Sequence, residues 1–275
     1  MGIDLRKIKS TPALVRQNKF SIMKKHTFYL FLALISFLSS SCSDFLFWEN
    51  EDEQINETIE ISKINKIQIE SIFYIELVQD TEEYIIATGT KDQLNKLEIY
   101  SKDNTSILKH SYNNLVKNYT PIKLEIHIKA ISHIHISSPA NITNTKFIST
   151  DNLSILVTED SELVEMNLNL NCKTLSFHVK GSVNGEYHFK GECPNANYVL
   201  NGTTNIMALE FKSQNIDIAQ NSIGEAHIFA EKKITANIYS YGNIYYKGDP
   251  EIIENRIQIN NQSPTAKLIP LNSSN

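Results

Sequence analysis

Leu153-Ser-Ile-Leu-Val157, Leu175-Ser-Phe-His-Val179, Ala196-Asn-Tyr-Val-Leu200, Ile216-Asp-Ile-Ala-Gln220 and Ile234-Thr-Ala-Asn-Ile238 are five versions of one alternating stretch. Their starts lie 22, 21, 20 and 18 residues apart. Alternation gives an extended strand one apolar and one polar face. A second alternating run follows: Val164 to Leu170, then Tyr187 and Phe189, then Met207 to Phe211, then Ala226 to Ala230. Between them fall turns carrying Gly181, Gly202, Gly224 and Gly242. A unit of this size cannot bury its apolar face without neighbours above and below, so the period predicts a solenoid. The expected fold is all-β, a right-handed parallel β-helix with rungs of about 20 residues.

Strand patterning extends towards the N-terminus. Ile64–Ile69, Phe73–Val78, Tyr84–Thr88, Glu98–Tyr100, Ser106–Lys109 and Ile122–Ile128 are short β-branched or aromatic runs separated by turn clusters. Leu94–Leu97 reads as a single helical turn. No stretch holds helical apolar spacing for three turns. The solenoid domain is placed at residues 55–265, with a tail at 266–275. At about 20 residues per rung this predicts around ten rungs, stacked at about 4.8 Å.

The N-terminus reads differently. Met23-Lys-Lys-His-Thr-Phe-Tyr-Leu-Phe-Leu-Ala-Leu-Ile-Ser-Phe-Leu-Ser-Ser-Ser-Cys42 has a basic start, a short apolar run and a small-residue stretch, the layout of a secretory signal. The run is shorter than the ~20 apolar residues a spanning helix needs. The segment resembles a bacterial lipoprotein signal with a relaxed lipobox at Leu38–Cys42, which implies lipid attachment at Cys42 and a membrane anchor through acyl chains. Residues 1–22 precede the basic start and read as a mis-annotated extension, 23–41 as the signal peptide, and 42–54 as an acidic tether carrying Glu49, Glu51, Asp52 and Glu53.

The net charge of −5 and the lack of a basic stripe argue against a nucleic-acid partner. With Cys42 lipidated, Cys172 and Cys193 remain, 21 residues apart and about one rung apart. Stacked positions lie within bridging range, so a disulfide is one expectation, and two stacked apolar thiols the other.

The last unit, Lys233-Ile-Thr-Ala-Asn-Ile-Tyr-Ser-Tyr-Gly-Asn-Ile-Tyr-Tyr-Lys-Gly-Asp-Pro250, with the turns Lys180–Val183, Asn201–Thr204 and Ser137–Ala140, resembles the head GIN domain family of auto-transporter adhesins. The resemblance covers about residues 61–250 and implies a parallel β-helix in a Bacteroidetes envelope lipoprotein, without an established activity. Several turns, such as Thr158–Asp160 and Gln220–Ser222, lack the family's glycine.

A glycan-cleaving site needs converging carboxylates; the candidates are Glu159, Asp160, Glu162, Glu186, Glu210, Asp217 and Glu225. No pair recurs on an outward strand position beside a basic partner, so no catalytic residue is assigned. His133 and His135 share one strand face, but two ligands do not make a metal site, and neither metal nor cofactor is expected. Tyr239, Tyr241 and Tyr245 are expected either to cap the last rung, the favoured reading, or to offer a binding surface. The sequence thus predicts an outer-membrane lipoprotein, periplasmic or surface-exposed, with a non-catalytic, adhesin-like solenoid binding a glycan or protein. A homo-oligomer stays open. The alternatives are a polysaccharide lyase or hydrolase, and a structural or stress-related envelope component.

Overall fold

A computed structural model of the chain describes residues 53–61, 63–111 and 120–271. The expected extension at 1–22, the signal peptide, Cys42 and nearly all of the tether lie outside these residues. Strands make up 69% of the structure against 3% helix, which leaves one architecture, a β-solenoid of about seven turns with rungs of about 21 residues.

Most rungs contribute two strand stretches, so two sheets face each other. One sheet stacks β3 (Phe73–Gln79), β9 (Ala140–Thr143), the first half of β11 (Leu163–Val179), β12 (Asn184–Glu192), and the middle of β13 (Asn195–Ser222). It continues through β14 (Ala226–Ile238), β15 (Ile244–Lys247) and β17 (Leu268–Pro270). The opposite sheet stacks β2 (Lys66–Ile69), β8 (His133–Ile136), β10 (Ile148–Val157), the later part of β11, the first and last parts of β13, the later part of β14, and β16 (Glu251–Arg256). All of these pairings are parallel. Residue Ile155 pairs with Phe177, and Phe177 with Tyr198, so the alternating stretches stack as the sequence period requires.

The stacked apolar positions fill the interior. Ile134, Ile155, Phe177, Ile218 and Ala236 are buried along one wall, and Ile142, Met166, Tyr187, Ile206 and Ala226 along the other. Each large side chain removed from water contributes about 1.5–3 kcal/mol. The middle rungs hold an aromatic cluster. Phe177 meets Tyr187 edge-on with ring centres 4.6 Å apart, and Phe189 lies 5.5 Å from Phe177 and 5.9 Å from Phe211. Tyr187 fits because its neighbour is Gly185: a Cβ there would stand 2.3 Å from the Tyr187 hydroxyl.

The N-terminal third departs from the expected succession of rungs. β7 (Ile122–Ile128) pairs with one edge of β3 while β9 pairs with the other. Likewise β6 (Thr105–His110) and β8 flank β2. The rung made of β2 and β3 is therefore inserted between two rungs that come later in the chain. The end is closed by antiparallel strands: β4 (Tyr84–Thr90) on β7, β1 (Gln54–Glu60) on β4, and β5 (Leu97–Lys102) on β6. These strands consume sequence without adding rungs, which is why about seven turns replace the expected ten. The helical turn falls at Lys91–Leu94 and is held by a capping box between Thr90 and Gln93. At the other end, β17 and the buried Ala266 belong to the sheet and core, so residues expected to form a tail extend the domain.

The turns are built from stacked polar side chains. The Asn215 amide donates to Asn195 at 3.0 Å, Asn221 to Asn201 at 2.7 Å and Asn255 to Asn237 at 3.0 Å. Inside the turn column, the buried Ser222 hydroxyl accepts from the amides of Thr204 and Gly224 and lies 3.1 Å from the Gly202 carbonyl.

Candidate functional site

Between the two sheets, on the narrow side where the chain bends from one to the other, runs a groove of about 1200 Å³. Its polar lining is stacked like the core. Ser149 pairs with Asn171, Asn171 with Glu192, and Glu192 with Lys212, one residue from each of four rungs. A second column runs from Lys190 to Glu210. Two ion pairs bridge neighbouring rungs: Lys173 to Asp151 at 2.8 Å and Lys190 to Glu210 at 3.0 Å. Both are well exposed, and such pairs contribute little to stability, so these charges remain free to exchange partners. A register shift between β12 and β13 falls here, between His188 and Lys190.

Phe147 forms an aromatic wall, half exposed. Its ring lies against Gly191, where a Cβ would stand 2.8 Å from a ring carbon and 2.1 Å from the Leu170 carbonyl oxygen. Gly191 has φ of +115°, so both the backbone conformation and the close approach require glycine.

Cys172 lines the groove floor, and Cys193 lies behind it on the next rung. Both are buried free thiols, without the bond that was one expectation. The Cys193 thiol donates to the Asn195 carbonyl at 3.2 Å. The hydrogen bond to Cys193, with burial, pushes the Cys172 thiol far above its ordinary range; as a neutral thiol it is inert.

The tyrosines singled out in the sequence separate. Ile238 is fully buried, and Tyr241 beyond it is 55% exposed. The second sheet ends in β16, which pairs in parallel with β14. Tyr245 instead stacks on His227 with ring centres 4.7 Å apart, and its hydroxyl lies 3.4 Å from Glu225.

The candidate carboxylates are dispersed. Glu159 and Asp160 lie in a 3-10 turn, with Glu162 closing it at φ +53°. Glu186 and Glu225 lie on the first sheet, each beside a histidine two residues on, at 2.6 Å (His188) and 3.3 Å (His227). Asp217 is on the second sheet, and Glu210 lines the groove. His133 and His135 are partly buried on β8, and burial lowers the pKa of both, favouring the neutral form. No group of three potential metal ligands occurs among the described residues.

Two features escaped the sequence reading. The groove draws on separate stretches of several rungs, and no residue singled out for chemistry in the sequence, apart from Glu210 and Cys172, marks it. The other is His127, whose Nδ1 lies 2.9 Å from Asp80 and whose Nε2 lies 2.8 Å from Glu125. Its ring stacks on Tyr84 at 4.0 Å. The hydrogen bond from His127, with that from the Thr81 amide, holds the Asp80 carboxyl below its usual range.

A capped β-solenoid with a polar groove along one side defines a class of repeat proteins that present extended surfaces. The chain belongs to the family described as "Putative auto-transporter adhesin, head GIN domain", matched over residues 63–250. Solved structures share the fold. A putative adhesin from Bacteroides fragilis is 20% identical, with a TM-score of 0.70 over 80% of this chain and 97% of that one. A putative adhesin from Parabacteroides merdae is 18% identical, with a TM-score of 0.59 over 80% and 97%. A putative lipid binding protein from Parabacteroides distasonis is 18% identical, with a TM-score of 0.56 over 80% and 97%. No functionally curated protein matches the chain.

Proposed function

We propose that this chain is a cell-envelope lipoprotein, held at the outer membrane by lipid on Cys42, whose solenoid is a non-catalytic, adhesin-like binding domain. The observation that carries the reading is the groove: a shallow surface depression crossing four stacked rungs, lined by both charged and apolar side chains, in a member of an adhesin-head family. Glu159, Glu210 and Asp217 stand apart in a turn, the groove and the second sheet, away from the Glu165–Glu186 column of the first sheet, which supports binding over cleavage because hydrolysis needs two carboxylates across one bond. The signal-like segment ending at Cys42 supports the anchor.

Protease shaving of intact cells tests the placement, with a periplasmic protein as control. Loss of the domain while the control survives is expected; full protection sinks adhesion to external targets. Labelling cells with radioactive palmitate tests the anchor, and a Cys42→Ser variant that keeps its label would overturn it.

A further inference from the structure

The geometry points to the groove beside Phe147 as the site for a linear, uncharged oligosaccharide, an assignment that rests on the binding reading above and names its ligand. Four observations carry it. First, the lining is charge-balanced: Asp151, Glu192 and Glu210 stand against Lys173, Lys190 and Lys212. A groove selecting an anionic polymer would carry unopposed cations; this one offers donors and acceptors in equal measure, as a row of hydroxyls requires. Second, these side chains stand at the strand spacing of about 4.8 Å along stacked rungs, so a repeating polar chain laid across the rungs meets a fresh donor or acceptor at each. Third, Phe147 gives a half-exposed ring face at one wall. Aromatic faces take the apolar C–H side of a sugar ring while its edge hydroxyls bond to polar neighbours. Gly191 leaves the space that ring occupies, because any side chain there would stand in its place.

Fourth, a peptide is disfavoured by the backbone. Extended peptides bind by adding to an unpaired strand edge. Here Ser149, Asn171, Glu192 and Lys212 already stand in one continuous parallel ladder through β10, β11, β12 and β13, so the groove recognises its occupant through side chains alone.

The test is calorimetric titration of the folded chain with cellohexaose, maltohexaose, xylohexaose, chitohexaose and mannohexaose, and with hexagalacturonate as the anionic comparison. We expect at least one neutral sugar to bind, and Phe147→Ala to weaken it by about tenfold or more. Lys190→Ala should weaken it less, and both variants should keep the wild-type circular dichroism spectrum. Because Phe147 is half exposed, loss of its ring should leave the fold intact; if it does not, amide shifts of Gly191 and Lys212 in the wild-type chain on sugar addition decide the question. Binding of hexagalacturonate alone, binding of a protein ligand that neutral sugars fail to displace, or no neutral sugar binding at all overturns the assignment. Neutral-sugar binding that Phe147→Ala leaves unchanged also overturns the site. In each of these cases a chain that is still shaved from the cell surface and still adheres keeps the adhesin-like reading, whereas one that does neither loses both.

Discussion

The carbonyl oxygen of Gly224 approaches Gly242 so closely that a Cβ on Gly242 would stand 1.8 Å from it. The two glycines occupy equivalent turns of neighbouring rungs, and the Gln220 side-chain amide donates to both carbonyls at 2.9 Å. The obstacle is backbone, which cannot rotate away. Gly242→Ala should therefore destabilise the domain by about 2–4 kcal/mol, read as a lowered midpoint in urea. Gly89→Ala meets only the Gln93 side chain, at 3.0 Å, and ordinary contacts at 3.4 Å. Its midpoint should stay within about 0.5–1 kcal/mol of wild type.

Truncation should separate core aromatics from exposed ones. Phe189 is fully buried and touches the rings of Phe177, Tyr198 and Phe211. Phe189→Ala should cost about 3–5 kcal/mol through lost burial and the cavity left behind. Tyr241→Ala should fall within about 0.5 kcal/mol of wild type; a large loss of stability would support the cap role expected from sequence.

His127 ties Asp80 and Glu125 together next to Tyr84. Removing it leaves two carboxylates side by side, so His127→Ala should cost about 2 kcal/mol at neutral pH. Asp80 gives the pH signature. Its carboxyl is held below the usual value in the folded state, so its contribution is fully present above the unfolded-state value. That contribution is lost as the pH falls through the depressed folded value. Thermal melts of Asp80→Asn should thus lie below wild type at neutral pH and converge with it on acidification. A gap that persists unchanged at low pH would show that the charge plays no part.

The thiols can be read directly. In a Cys42→Ser chain, Cys172 and Cys193 should both resist maleimide in native buffer and both react in urea, because they are buried and Cys172 is held as the neutral thiol. Rapid labelling of either in the folded chain would show that the groove floor opens. Resistance in urea that reductant relieves would show that they had formed the bond.

Strand positions were legible because alternation is local: Leu124, Ile126 and Ile128 had to face inward wherever β7 lay, and all three are buried. The choice of neighbour was not legible. Ile67 alternates as well as Ile107, and nothing in either run says that β6 and β8 would take opposite edges of β2. The turn ladders were readable in principle, since Asn195 and Asn215, or Asn201 and Asn221, recur at the rung period. The groove was not, because it depends on where the bend exposes Phe147 and on the shift beside Lys190. His127 read only as one of three polar residues, with Lys123 and Glu125, on the outer face of an alternating strand. Its significance comes from Asp80, which lies beyond the end of β3.

The inserted position of the β2–β3 rung has a consequence for synthesis. A ribosome delivers this rung first, yet its outer partners β6 and β7 and its inner partners β8 and β9 all arrive afterwards. The nascent chain must therefore keep both edges of its founding rung vacant, then build outward in two directions from it. Parallel pairing across such separations is slow and leaves edges open to misassembly. Nibbling from the C-terminus should shorten the stack a rung at a time. Removing the first 80 residues would instead withdraw the foundation on which both arms are laid.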